Sequence, residues 1–263
     1  MTYRKVLRKL VPLLSGSLLL APTFAGWAAP TGVDAVLGNH MYRFPYGTLQ
    51  NVEPPAPNAP LELNLPVRGE LQPSSTAPKR DAIVETMLAH IPMTVSFSDR
   101  PSVVELLHRK VVNDDSSVVG SLERRDPRER LELRVKGRAW NGLVPYTVDE
   151  DLMTQFARDY QTRYGRALTR QKSFEPDWLI GLSPDGGIAT VISCDPADSM
   201  QAPASLSARP MNVSPGAWAG CIHYFIDPTR QLFYQMTYNR QLLGNWKQME
   251  DAAKETMARA QMR

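Results

Sequence analysis

Residues 221–238 read CIHYFIDPTRQLFYQMTY, and residues 178–194 read WLIGLSPDGGIATVISC. Each stretch contains two apolar runs rich in β-branched and aromatic residues, which favour strands. Turn formers separate the runs: Asp227-Pro-Thr in the first stretch and Pro184-Asp-Gly-Gly in the second. The pattern predicts two hairpins, with strands at 178–182 and 188–193 and at 221–226 and 232–238.

A long helix is predicted after the second hairpin, from about Arg240 to Gln261, with Asn239 available as its N-cap. Apolar side chains recur along it at helical spacing and define one face. This face consists of Leu242, Trp246, Met249, Ala253 and Met257.

A second helix is predicted between Asp149 and Gly165. Acidic residues at 149–151 suit the positive N-terminal end of a helix, and Gly165 suits a C-cap. Its expected apolar face consists of Leu152, Phe156, Tyr160 and Tyr164.

The patterns before residue 149 are shorter. Apolar residues predict strands near 41–46, 93–97, 131–135 and 143–148, and an edge strand over 61–67 that tolerates its proline. Residues 103–112 fit a helix by spacing and a strand by their β-branched valines. Seven prolines between Glu53 and Pro78 predict an extended wrap or linker. The fold class is therefore α+β: an antiparallel sheet meander, a long amphipathic C-terminal helix and at least one further helix.

The first residues have the pattern of a cleavable secretory signal. Four basic residues occupy positions 4–9, a mostly apolar stretch runs from 10 to 25, and small residues allow cleavage after Ala25 or Ala28. A membrane anchor is the alternative, but prolines, glycine and serines interrupt the stretch. We therefore expect a signal peptide at 1–28, an N-terminal strand and proline-rich extended segment at 29–80, and a single α+β domain at 81–263.

Removal of the signal changes the charge of the chain. The whole sequence has 30 basic and 27 acidic residues. Cleavage removes four basic residues and no acidic one, which leaves 26 against 27 and a net charge of about −1. The mature chain then has no excess of positive charge to attract nucleic acid or anionic lipid. No later stretch is apolar enough to span a membrane, and no cysteine near the cleavage point allows lipid attachment.

The two cysteines, Cys194 and Cys221, are expected to form a disulfide in an oxidising compartment. A reactive thiol and half of a metal site are the alternatives, and neither cysteine lies in a CxxC motif. The export signal and the even cysteine count together predict a periplasmic protein.

The sequence contains no established catalytic or metal-binding motif. GxSxG, HExxH, P-loop and GxGxxG patterns are all absent, and the four histidines are scattered. Acidic groups at 114–115 and 149–151 lack the spacing of a calcium loop. We therefore predict no catalytic residue, no metal ligand and no cofactor.

His223 is the best candidate for a catalytic base, with Asp227 or Asp185 as a carboxylate partner across the hairpins. It alternates with Cys221 and Phe225, however, and such a histidine packs on a sheet face more often than it catalyses. Among the tryptophans, Trp178 and Trp246 are expected in the core. Trp218, in the loop between the cysteines, is a candidate interface residue.

The C-terminal third resembles periplasmic immunity proteins, which protect Gram-negative bacteria from type VI secretion effectors, notably antibacterial phospholipases. The resemblance rests on the strand with Trp178, the strand reaching Cys194, the Cys221-x-His223-x-Phe225 strand and the strand after it. It continues through Tyr238-x-Arg240-x-x-Leu243-x-x-Trp246-x-x-Met249-Glu250. It implies an inhibitor that binds a secreted toxic effector and performs no chemistry. The proline-rich leader has no counterpart in it.

The sequence thus leaves four candidate functions. The first is an immunity protein that neutralises a lipase-type effector. The others are an accessory or adaptor protein of an envelope or secretion complex, a periplasmic binder of a small ligand or lipid, and a hydrolase built around His223.

Overall fold

The two predicted hairpins form adjacent strand pairs at the centre of one antiparallel sheet in a computed structural model. The structure describes residues 32–50, 53–66, 90–112, 118–172, 175–196 and 219–262. The predicted signal peptide and Trp218 lie outside these residues, as does most of the loop between the cysteines.

Eight strands of the described chain form this sheet, in the order β3-β4-β10-β9-β8-β7-β6-β5. The strands in chain order are β3 (Leu61–Pro66), β4 (His90–Phe97), β5 (Arg134–Lys136), β6 (Leu143–Val148), β7 (Asp177–Leu182), β8 (Ile188–Cys194), β9 (Gly220–Asp227) and β10 (Leu232–Asn239). A separate hairpin consists of β1 (Gly32–Leu37) and β2 (His40–Pro45). The edge position of β3 confirms the prediction for that segment.

The α-helices within the described residues are α1 (Val103–His108), α2 (Glu150–Tyr164) and α3 (Trp246–Ala260). A 3₁₀ turn over Arg240–Asn245 leads directly into α3, and the Asn239 side chain caps that turn. The predicted C-terminal helix and its buried face are confirmed. The α+β class is therefore confirmed. Of the segment 103–112, Val103–His108 form a helix, and Val112 makes an isolated bridge to Arg130.

The sheet has a buried core on each face. Side chains of β3, β4 and β6 to β10 pack with α3 and the β1–β2 hairpin in the larger cluster, which we call the α3 face. On the opposite side, the α1 face, α1 packs on β8, β9 and β10. Strand β9 serves both faces by alternation: Cys221 and Phe225 point to the α3 face, and Tyr224 and Ile226 point to the α1 face.

The strand predicted over 131–135 is wrong in its first half. Leu131–Leu133 form a 3₁₀ turn, and β5 begins only at Arg134. The side chains also point the opposite way from the prediction: Arg134 is buried, at 6% exposed, and Val135 is 49% exposed. The alternation of apolar residues could not anticipate this, since the Arg134 guanidinium finds acceptors inside the protein, as described below.

Helix α2 has the predicted caps, and its predicted apolar face is confirmed in part, since Phe156 is buried and Tyr160 packs half-buried against the same cluster. Asp149 accepts hydrogen bonds from the backbone N–H groups of Asp151 and Leu152, and Gly165 ends the helix in the left-handed conformation. Met153 and Phe156 are its buried residues, while Leu152 and Tyr164 are exposed. The helix buries this narrower face against a small cluster around Leu122.

The predicted disulfide is present. Cys194 and Cys221 are register partners in the β8–β9 pair, and their sulfur atoms are 2.03 Å apart. The bridge fixes these central strands at the two ends of the intervening loop. Trp178 and Trp246 are both buried, as expected.

Removal of the disulfide is expected to destabilise the domain without changing its fold. The bridge spans a sequence separation of 27 residues, for which the chain-entropy account gives about 3.6 kcal/mol. The double variant C194A/C221A should lose about that much free energy of unfolding in urea, measured against the oxidised protein. The reduced wild type is the matched control, and equal stability of oxidised and reduced protein would contradict the prediction.

Candidate functional site

A buried polar network surrounds His223 on the α3 face. The His223 Nε2–H donates to Glu250 Oε1 at 3.0 Å, and the Tyr238 hydroxyl donates to His223 Nδ1 at 3.1 Å. Thr190 Oγ1 also donates to Glu250 Oε1, at 2.6 Å. Lys254 Nζ lies 3.6 Å from Glu250 Oε2. The network joins β8, β9 and β10 to α3.

The electrostatics of this network favour a neutral imidazole beside an ionised carboxylate. Burial lowers the pKa of His223 and outweighs the opposing effect of Glu250. Burial tends to raise the pKa of Glu250, but the hydrogen bonds from His223 and Thr190, together with Lys254, hold it below its usual value. Every polar atom in the core of the network then has a partner of the correct kind.

The predicted carboxylate partners of His223 are not used. Asp227 pairs with Arg230 at 2.7 Å, and Asp185 accepts a hydrogen bond from Ser183 in the β7–β8 turn. Glu250 takes their place, and the sequence does contain a signal for it. Position 250 is four residues after Trp246 and three before Ala253, so a carboxylate occupies the apolar face of α3.

The His223 side chain is 0% exposed, so its imidazole has no contact with solvent in this structure, although Lys254 at the edge of the network is 38% exposed. A general base must lie within hydrogen-bond reach of the proton that it removes. The geometry therefore gives this network a structural role, in which it links the sheet to α3. Among the described residues, no cluster of three or more histidine, cysteine or acidic side chains could hold a metal ion.

A recess of about 620 Å³ opens on the α1 face, beside α1. Its floor is formed by Trp178 of β7, Ser193 of β8, and Ile222 and Tyr224 of β9. The wall residues come from the end of α1 and from two loops: Lys110, Arg128, Glu129, Thr169, Gln171, Glu175 and Pro176. The floor is mostly apolar and the walls are mostly polar.

Arg134 holds the floor and two walls of the recess together. Its guanidinium donates to the carbonyl oxygens of Arg128 at 2.7 Å and Pro176 at 2.8 Å. It also stacks on the ring of Trp178, with 3.7 Å between the guanidinium carbon and the ring centroid. Burial lowers the pKa of Arg134 to about 10, so the group stays protonated at neutral pH.

The charges around the recess are unevenly compensated. Arg128 is paired with Asp126 at 2.5 Å, and Glu175 is paired with Arg170 at 2.6 Å. Lys110 Nζ lies 4.7 Å from the ring centroid of Tyr224, and it makes no ion pair within the described residues. Among the described residues, Lys110 is therefore the basic group at the rim that no carboxylate pairs with.

A solved structure matches the chain over most of its length. It is the structure of Smlt3025, an immunity protein of the Stenotrophomonas maltophilia type IV secretion system. The two chains share 32% sequence identity, and the match covers 89% of this chain and 94% of that chain with a TM-score of 0.72. This chain belongs to the family of Smlt3025.

The match to Smlt3025 covers most of the chain, whereas the resemblance found in the sequence covered only the C-terminal third. No protein-family model matches the chain, and no curated protein does. The relative is an immunity protein, as the resemblance implied, but it is described with a type IV and not a type VI system. No helix within the described residues has the length and apolar character needed to cross a membrane.

The His223–Glu250 pair is expected to make the protein less stable in acid. In the unfolded chain His223 binds a proton near its ordinary pKa of 6.5, whereas burial lowers the pKa in the folded protein. The stabilisation is therefore complete above pH 6.5 and is lost as the pH falls toward the folded pKa. The lowered pKa of Glu250 acts in the same direction below the ordinary glutamate pKa of 4.5.

The variant H223Q tests this prediction. It should lose about 1–3 kcal/mol at pH 7.5 because the Glu250 bond is weakened, and its free energy of unfolding should depend less on pH between about 5.5 and 7. Urea unfolding at a series of pH values measures both quantities. Parallel pH profiles for H223Q and the wild type would contradict the assignment of a neutral His223.

Replacement of Arg134 is expected to loosen the recess. R134M leaves the carbonyl oxygens of Arg128 and Pro176 without their donor, and should cost about 2 kcal/mol or more in urea unfolding. R134K keeps the charge but lacks the planar fork that reaches both carbonyls and the Trp178 ring. It should therefore recover only a small part of the loss. An R134K protein as stable as the wild type would show that charge alone is sufficient here.

Proposed function

We propose that this chain is an immunity protein that binds a secreted toxic effector in the periplasm and neutralises it. The observation that carries the proposal is the match to Smlt3025, an immunity protein, at 32% identity over 89% of this chain. At that identity and coverage, a shared mode of action is a reasonable expectation, whereas fold alone would not support a function.

Three features of the chain support this proposal. The Cys194–Cys221 disulfide is typical of proteins from oxidising compartments, and the first 28 residues have the pattern of an export signal. The most catalysis-like group, His223, is fully buried, and both of its ring nitrogens have partners inside the protein. These features favour an exported binding protein over the hydrolase that His223 suggested.

The effector's class is a finer part of the proposal. Because Smlt3025 is described with a type IV secretion system, we favour a type IV effector as the partner over the type VI effector that the sequence resemblance implied. The phospholipase class of the effector stays a prediction from that resemblance.

A capture experiment tests the role. Tagged mature protein, beginning at Gly26 or Ala29, is incubated with envelope and secreted fractions of the source bacterium. Bound proteins are identified by mass spectrometry against a tagged unrelated exported protein as control. The captured protein is then purified, and its toxic activity is measured with and without the immunity candidate.

We expect a 1:1 complex with a Kd of about 10⁻⁹ M or below and complete loss of the effector's activity within it. A resident envelope component that binds without loss of any activity would favour an accessory role. The absence of any specific partner would reject the proposal.

A further inference from the structure

We propose that the recess on the α1 face is the surface that binds the effector, and that it receives a protruding effector loop. This loop would place an apolar side chain on the floor and a carboxylate beside Lys110. The inference rests on the proposed function and adds the surface and the chemistry of the partner.

The floor of the recess is the first observation. Strand β9 lies between β8 and β10 in the middle of the sheet, where side chains are usually covered. Tyr224 and Ile226 pack in the α1-face core, but Ile222 on the same face is 39% exposed. An exposed isoleucine on a central strand, in a recess that two aromatic rings also line, offers an apolar contact that the described chain does not use.

The second observation is the arrangement of polar groups around that floor. Lys110, Glu129, Thr169 and Gln171 are exposed on the walls. An apolar centre with a polar rim is the usual anatomy of a protein–protein interface. A volume of about 620 Å³ is comparable with that of a small-molecule pocket. It has room for a few side chains, which suits the tip of a loop.

The charge at the rim selects the chemistry of the loop. Arg128 and Glu175 are neutralised by buried or half-buried partners of this chain. Within the part of the chain that the structure describes, the Lys110 ammonium group lies over the Tyr224 and Phe233 rings and pairs with no carboxylate. An effector carboxylate placed there would gain a charge-assisted contact next to an apolar surface that excludes water. Glu129 also lines the recess, next to Arg128 in the chain, and its negative charge would repel a carboxylate. The effector carboxylate is therefore assigned to the Lys110 side of the rim.

The recess is also held in shape before any partner arrives. The disulfide joins Cys194 and Cys221, the neighbours of the floor residues Ser193 and Ile222. Arg134 fixes Trp178 and both flanking walls from inside. A preformed surface loses little conformational entropy on binding, which favours tight inhibition.

Matched pairs of variants test the surface. K110E reverses the rim charge, and K247E makes the same change on α3, where Lys247 also lies over an aromatic ring. I222A removes the floor side chain, and L152A removes a leucine of similar exposure, 37% against 39%, on α2. Thermal unfolding confirms that each variant is folded. Affinity is measured by calorimetry with the purified effector from the capture experiment.

We expect I222A to raise the Kd about tenfold or more, as loss of a central interface side chain does. K110E should raise it by a similar factor, because it places a like charge beside the effector carboxylate. K247E and L152A should stay within about twofold of the wild type. The wild-type affinity should also fall between about 0.05 and 0.5 M salt, and fall less in K110E, because the Lys110 attraction is screened.

The outcomes separate this inference from the proposed function. If the wild type fails to bind or neutralise any effector, the proposed function is rejected. If the wild type neutralises the effector and folded K110E and I222A bind it equally well, the immunity role stands and the recess is not the binding surface.

Discussion

The packing of strand β9 against both cores determines how the sheet is organised and which residues reach the recess. Its odd-numbered residues Cys221, His223 and Phe225 enter the α3-face core, and its even-numbered residues 222, 224 and 226 point to the α1 face. A shift of one residue would exchange the two sets. The disulfide to Cys194 and the His223–Glu250 contact both oppose such a shift, because each joins β9 to another element. The same register that secures the core therefore presents Ile222 and Tyr224 to the recess.

Local sequence patterns predict most of this fold because, in most elements, the apolar spacing, the turn residues and the caps all favour the structure that forms. The two hairpins, the capped helix at 149–165 and the C-terminal helix follow from apolar spacing, turn formers and caps. The failures occur where a distant partner overrides the local pattern. Arg134 turns inward because carbonyl oxygens of residues 128 and 176 accept its hydrogen bonds. Leu152 stays exposed because α2 covers only a small cluster.

The candidate sites were harder to predict for the same reason. His223 was visible in the sequence as an inward-facing strand residue, but its partner Glu250 lies 27 positions away and carried only the weak signal of a carboxylate on an apolar helix face. The recess draws its floor from three strands and its walls from separate loops, so no local motif encodes it. A binding surface that depends on shape and charge has no fixed residue spacing, so it is harder to recognise in a sequence than a catalytic motif.

We propose that this member of the Smlt3025 family neutralises an effector through the preformed recess on the α1 face. The crystal structure of the complex between the mature chain and its effector tests this most directly. We expect an effector loop in the recess, with Ile222 buried and a carboxylate within about 4 Å of Lys110 Nζ. An effector bound to the α3 face or to a sheet edge, with the recess open to solvent, would contradict it.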